Sequence, residues 1–131
     1  MADTLRIETH GNRTHFEPGE MLHGLVGWEL ADPPKSVEFR LSWYTEGKGD
    51  QDVQVVQRKA FDHAPAVDAQ VFEFPLPTEP YSFSGKLITL CWALELIVNG
   101  RQSTRLDLVI APGAEEIDLN APVSSPPAVE V

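Results

Sequence analysis

The side chains that could bind a metal or move a proton are four histidines, one cysteine and a surplus of carboxylates. The chain has 131 residues, with His at positions 10, 15, 23 and 63 and twenty Asp and Glu residues. No two histidines have the i, i+4 spacing of helical metal ligands, and the single cysteine, Cys91, cannot complete a zinc site of the cysteine type. We therefore expect no bound metal and no cofactor.

Two groups of carboxylates could support acid–base chemistry or calcium binding. Glu17 and Glu20 form a pair of the kind that glycoside hydrolysis uses, but Pro18 and Gly19 between them predict a turn. Residues 46–52 form an acidic, glycine-containing loop that lacks the spacing of an EF-hand. The sequence also has no nucleophile elbow, phosphate loop or dinucleotide motif. We expect that the protein is not an enzyme.

The net charge restricts the possible partners. Ten Lys and Arg residues against twenty Asp and Glu residues give a formal net charge of -10 at pH 7. This charge repels nucleic-acid phosphates and anionic lipid headgroups, so we expect no nucleic-acid partner. The longest apolar run, residues 87–98, is too short to span a bilayer, so we expect no membrane insertion. The single cysteine excludes an intramolecular disulfide, and no apolar leader opens the chain, which together favour a cytoplasmic location.

The elements that must position these side chains are β-strands, because apolar and polar residues alternate along most of the chain. The alternation is clearest in residues 21–30, 37–43 and 86–98. It places Trp28, Trp43 and Trp92 on core faces and Tyr44 on an outer face. Further strands are predicted over residues 5–8, 14–16, 51–61, 71–76 and 101–110. The 51–61 strand carries Gln, Arg and Lys on both faces, which is typical of an edge strand.

A tight hairpin and the number of strands predict the fold class. Asn99 and Gly100 separate two alternating runs, and both residue types tolerate the positive φ of a hairpin turn. Seven to eight strands in about 110 residues predict an all-β fold, an antiparallel two-sheet β-sandwich of the immunoglobulin or arrestin-like kind. A closed barrel is the alternative, and the pattern does not determine the order of the strands.

The domain organisation follows from a change in composition near the C-terminus. Residues 1–110 are predicted to form the sandwich. Residues 111–131 contain four prolines and four acidic residues but no basic residue, and we expect this tail to be disordered.

Three groups of motifs occur in a characteristic order. They are Phe16-Glu17-Pro18-Gly19-Glu20 with Leu22-His23-Gly24-Leu25-Val26, the 37–43 strand with Tyr44-Thr45-Glu46-Gly47, and Phe72-Glu73-Phe74-Pro75-Leu76-Pro77 with Pro80-Tyr81-Ser82-Phe83-Ser84-Gly85. Together they resemble the amino-terminal domain of arrestin-like proteins over residues 5–110. The resemblance implies a sandwich whose relatives, among them arrestins, a retromer subunit and bacterial sporulation-control proteins, act as non-catalytic adaptors. The chain departs from them in having one sandwich and no basic phosphate-binding cluster, so binding of phosphorylated receptors is not implied.

We therefore expect a non-catalytic protein–protein interaction module, an adaptor or scaffold that presents an exposed edge strand and loops to an unidentified protein. A homodimer through the edge strand is a variant of this hypothesis. The candidate contact residues are Val53, Val55, Gln57, Tyr81, Phe83, Ile117 and Leu119. The alternative is a sandwich that binds a carbohydrate or another small molecule, for which an exposed Tyr44 or Tyr81 would supply the aromatic contact.

Overall fold

The alternating segments form two β-sheets that pack face to face. The computed structural model describes residues 3–47, 51–85, 88–114 and 117–118. In chain order, its strands are β1 (Thr4–Thr9), β2 (His15–Phe16), β3 (Met21–Glu29), β4 (Val37–Gly47), β5 (Val53–Ala60), β6 (Val67–Pro75), β7 (Phe83–Ser84), β8 (Ile88–Val98), β9 (Gln102–Ile110) and β10 (Ile117–Asp118). Short 3-10 turns follow β1 and β9, at His10–Asn12 and Pro112–Ala114.

The smaller sheet has the strand order β1-β3-β6, and the larger sheet has the order β10-β7-β8-β4-β5, with β9 also paired to β8 and β2 paired to β9. All long pairings are antiparallel, and only the two-residue pairs β2–β9 and β10–β7 are parallel. The predicted all-β sandwich is confirmed, and the chain does not close into the alternative single barrel. β5 and β6 end their respective sheets within the described part of the chain.

The core lies between the sheets and uses the faces that the alternation predicts. Trp28 and Trp92 are fully buried, and Trp43 packs partly exposed against the core. Each buried indole N–H donates to a proline carbonyl, from Trp28 to Pro65 and from Trp92 to Pro80, at 2.9 Å in both cases. Burial of the two rings therefore leaves no indole donor unsatisfied.

Strands β4 and β6 are longer than predicted, and β4 continues to Gly47, four residues past the predicted end at residue 43. β6 begins at Val67, four residues before the predicted start. Its pairing with β3 extends to Glu29, the last residue of β3, which lies opposite Val67. β5 occupies the predicted edge position, and its register with β4 shifts between Leu41 and Ser42, where Val56 forms a bulge.

The segment after β9 contacts the sandwich in the residues that the structure describes. Ala111 is buried, and Ile117 and Asp118 pair with β7. Residues 115–116 and 119–131, which include Leu119, lie outside the described residues. No helix within the described ranges is long and apolar enough to cross a bilayer.

Candidate interaction surface

The predicted edge strand β5 presents aliphatic side chains to solvent at its N-terminal half. Val53 is 62% exposed and Val56 is also exposed, whereas Val55 and Gln57 are half-buried. The Gln57 side chain spans the gap between the sheets, and its amide Nε2 donates to the carbonyl oxygen of Pro75 at the end of β6, at 2.8 Å. Of the three predicted contact residues, Val53 is thus the most accessible, and Gln57 joins the two sheets.

The C-terminal half of β5 is basic. Arg58 lies 3.6 Å from Glu38, which also accepts a 2.6 Å bond from Arg40. The Lys59 ammonium lies 5.5 Å from the centre of the Phe61 ring. Basic side chains are one feature by which edge strands resist pairing with other strands. This half of β5 is therefore the less receptive one.

The second open edge, β6, was not predicted as a contact strand. Val67 is 62% exposed and Val71 is 74% exposed. Both lie on the outer face of the smaller sheet, opposite Glu29 and Leu25 of β3. A signal was present in the sequence, since Phe72 and Phe74 facing the core require Val71 to face outwards. The sequence did not predict that β6 is the last strand of its sheet among the described residues.

The loop that carries Tyr81 and Phe83 lies on the opposite side of the larger sheet from β5. β7, which contains Phe83, pairs with β8, and β4 separates β8 from β5. Tyr81 is exposed, while Phe83 packs partly buried against the core. Ser82 fixes the loop, because its backbone N–H donates to the carbonyl of Ile110 and its hydroxyl oxygen accepts from the Ile110 N–H, at 2.7 and 3.0 Å.

Of the two predicted contact residues of the tail, Ile117 is not brought to β5. The backbone of Ile117 is paired with Phe83 in the parallel β10–β7 pair, and Leu119 lies outside the described residues. The predicted contact residues that the structure describes thus fall on two separate surfaces. These are the open side formed by β5 and β6, and the loop surface around β7.

Tyr44 is not available as a binding side chain, so the prediction that it is exposed is wrong. It lies on the outer face of the larger sheet but is only 7% exposed, because the Arg105 guanidinium covers its ring at 4.9 Å from the centroid. Its hydroxyl donates to Asp107 at 3.4 Å. Burial, followed by the proximity of Cys91 and Asp107, raises the pKa of Tyr44 to about 12. Tyr81 remains as an exposed aromatic residue for the small-molecule alternative.

The carboxylates considered for catalysis have structural partners. Glu20 accepts two bonds from Arg13, at 2.5 and 3.1 Å, and this contact lowers the pKa of Glu20. Glu17 accepts the N–H of Gly113 at 3.1 Å. Gly19 between them has a φ of 81°, as expected for the predicted turn. The two side chains therefore hold neighbouring loops together.

Histidine side chains occur with carboxylates in one shallow groove on the smaller sheet. Glu8, His10, His23 and Glu73 line it, and His23 Nδ1 lies 3.0 Å from a Glu73 carboxylate oxygen. Across the described ranges, no three His, Cys, Asp or Glu side chains are grouped closely enough to hold a metal ion. The groove is accordingly a polar surface crossed by a histidine–carboxylate pair.

Comparison with known proteins identifies the fold. No protein-family model and no curated protein sequence matches the chain. The crystal structure of Spo0M, a sporulation control protein from Bacillus subtilis, matches with a TM-score of 0.58 and 17% sequence identity, over 85% of this chain and 50% of that one. A β-glucosidase from Listeria innocua in complex with gluconolactone matches with a TM-score of 0.50 and 10% identity, over 88% of this chain and 16% of that one.

The sandwich is arrestin-like, as the sequence motifs predicted. The chain spans about half of the sporulation control protein and a small part of the glucosidase. At these identities the likeness concerns the fold alone.

Proposed function

We propose that this protein is a non-catalytic interaction module, an adaptor that acts in the cytoplasm and binds protein partners through the open side of the sandwich. We define the open side as the exposed edges of β5 and β6. The observation that carries the proposal is the distribution of exposed aliphatic residues. Among the described residues, the large apolar side chains that are exposed are Met21, Val53, Val56, Val67, Val71 and Tyr81, and four of these six lie on β5 and β6.

The physical basis is strand addition. An edge strand has backbone N–H and C=O groups without a strand neighbour, and an extended segment of another chain can bond to them. Exposed aliphatic side chains along the same edge add apolar contact area to those hydrogen bonds. Val53 and Val71 supply such side chains on the two strands of the open side.

The test is affinity capture from lysate of the native host. It compares the full wild-type chain with three single variants, each of which introduces a lysine. Val53→Lys and Val71→Lys each place a charge on one edge of the open side. Met21→Lys is the matched control, because Met21 is also exposed but lies on β3, the central strand of its sheet. We expect a partner that binds the wild type and Met21→Lys but is lost with at least one edge variant. Equal capture by all four proteins would contradict the proposed surface.

A further inference from the structure

The backbone groups on the free edge of β6 can be assigned from the hydrogen bonds at both ends of the β3–β6 pair. The Leu76 N–H donates to Glu20 and the Leu30 N–H donates to Ala66, at 2.9 and 2.8 Å. Bonded and non-bonded pairs alternate in an antiparallel ladder. Even-numbered residues of β6 are therefore bonded to β3, and the odd-numbered residues direct their N–H and C=O groups to the free edge. The bond from Gln57 to the carbonyl of Pro75 agrees with this assignment.

β6 also lacks the features that protect β5. Its nine residues pair with β3 in one continuous register, without a bulge. Its charged residues are Asp68 and Glu73, and it contains no Lys or Arg. A long, regular edge without a bulge or a lysine is the kind that pairs with other strands. Of the two edges on the open side, β6 is thus the better suited to pair with a strand of another chain.

The edge of β6 can pair with a second copy of itself in an antiparallel register centred on Gln70. When two copies are related by a two-fold axis at Gln70, Val67 lies opposite Glu73 of the second copy, and Ala69 lies opposite Val71. In this register each residue whose N–H and C=O groups point to the free edge lies opposite another such residue. Ladder hydrogen bonds between the two strands require this arrangement. A register centred on Val71 would place Pro75, which has no N–H, opposite Val67.

The charges on β6 agree with this register. Glu73 lies opposite Val67, and Asp68 lies opposite Phe72, so no two carboxylates of the strands face each other. Cross-strand pairs of like charge destabilise a sheet, and this register avoids them. The remaining electrostatic cost is the repulsion between two chains that each carry a net charge of -10, which salt screens.

We propose that β6 pairs with β6 of a second copy of this chain, which joins the two smaller sheets into one continuous sheet. The proposal rests on the proposed function in that it names the partner of one edge of the open side. β5 then remains as the edge for a different protein. Because two acidic chains meet, association strengthens as the salt concentration rises.

Sedimentation equilibrium on the purified full chain tests the proposal with a matched pair of variants. Val71→Lys and Val53→Lys introduce the same charge at similarly exposed valines, on β6 and β5 respectively. We expect the wild type and Val53→Lys to form dimers, and Val71→Lys to dissociate at least about tenfold more readily. A monomeric wild type, or a dimer that Val53→Lys weakens and Val71→Lys does not, would overturn the proposal.

Cysteine cross-linking tests the register itself, in a Cys91→Ser background. Gln70→Cys places one thiol on the two-fold axis, where Cα atoms of a non-bonded pair are about 4.5 Å apart, within reach of a disulfide. Asp68→Cys is the control on the same face of β6. In the proposed register residue 68 lies opposite residue 72 of the second copy, so the two thiols that this variant introduces into a dimer would be too far apart to form a disulfide. A disulfide-linked dimer with Gln70→Cys alone supports the register, whereas equal cross-linking of both, or of neither, contradicts it.

These outcomes are separable from the test of the proposed function. If the chain is a monomer but still captures a partner that Val53→Lys loses, the pairing of β6 is wrong and the adaptor proposal stands. If Val71→Lys abolishes the dimer while no partner is captured by any form, the pairing stands and the adaptor proposal fails.

Discussion

Gly24 lies on β3, the strand between β1 and β6, at a position with no space for a side chain. It is paired with Thr9 of β1 and Phe72 of β6. A Cβ atom on Gly24 would lie 2.2 Å from the backbone oxygen of Glu8 and 2.5 Å from the Phe72 ring. That ring is held between other aromatic side chains of the core, including Phe39 at 4.5 Å between centroids. Neither neighbour can move away cheaply.

We expect Gly24→Ala to destabilise the protein by about 1–3 kcal/mol or more, through overpacking. Gly27→Ala is the control on the same strand. Its added Cβ would lie 2.9 Å from the end of the flexible Arg6 side chain, which can move aside, so its cost should stay within about 1 kcal/mol. Urea unfolding of both variants measures the difference. Equal free energies of unfolding would show that Phe72 is not fixed as described.

The hydroxyl of Tyr44 makes stability depend on pH in the alkaline range. Because burial raises its pKa from 10.0 to about 12, the folded state retains a proton that the unfolded state loses first. This contribution to stability is complete below about pH 10 and is lost as the pH rises towards about 12. We expect the free energy of unfolding of the wild type to fall across this window relative to that of Tyr44→Phe. Parallel curves for the two proteins would contradict this.

At the scale of the elements, Asn99 begins the turn of the β8–β9 hairpin and also binds the loop before β4. Asn99 and Gly100 have φ values of 56° and 66°, as the Asn-Gly pair predicted. The Arg101 N–H donates to the carbonyl of Val98 at 3.1 Å. The Asn99 side-chain oxygen also accepts the N–H groups of Lys35 and Ser36, at 2.7 and 3.2 Å. The turn thereby anchors the start of β4.

Asn99→Ala should lower the free energy of unfolding by about 1–3 kcal/mol, because it removes the acceptor of two backbone N–H groups. It also places alanine, which tolerates positive φ less well than asparagine, in the turn. Asn99→Asp keeps the oxygen and tolerates the same φ, so we expect a loss under about 1 kcal/mol. The readout is the urea midpoint at constant m-value. If Asp and Ala are equally destabilising, the side-chain oxygen is not what holds residues 35–36.

At the scale of the whole molecule, the segment after β9, residues 111–114, is bonded to the segment around β2, residues 15–17. The Ala111 N–H donates to the carbonyl of Phe16 at 3.1 Å, and the His15 ring Nδ1 lies 3.0 Å from the carbonyl oxygen of Ala114. Glu17 accepts the N–H of Gly113. These contacts lie beyond residue 110, where composition alone places the end of the sandwich.

The boundary after residue 110 is testable by comparing two truncated chains. We expect a chain that ends at Ile110 to be less stable than one that ends at Ala114 by about 2 kcal/mol, because it loses the buried Ala111 and the bonds to Phe16 and Glu17. Both chains lack the residues beyond 114, so the difference reports on 111–114 alone. Equal thermal midpoints would support the boundary at 110.

The sequence by itself determined the local features of this protein. Alternation in β3, β4 and β8 predicted which residues face the core, since a strand directs successive side chains to opposite faces. Pro18-Gly19 and Asn99-Gly100 predicted turns, because glycine and asparagine accept positive φ. The ordered motifs predicted the arrestin-like sandwich, which the likeness to a sporulation control protein confirms as a fold.

Only the tertiary structure decided the properties that depend on neighbours distant in sequence. Tyr44 is buried although it lies on an outer face, because β9 brings Arg105 and Asp107 over it. Likewise, β6 is the last strand of its sheet among the described residues, and that position follows from the strand order rather than from any pattern within residues 67–75. Periodicity records which way a side chain points. What lies opposite it is set by strand pairing, and strand pairing decides both the burial of Tyr44 and the exposure of Val71.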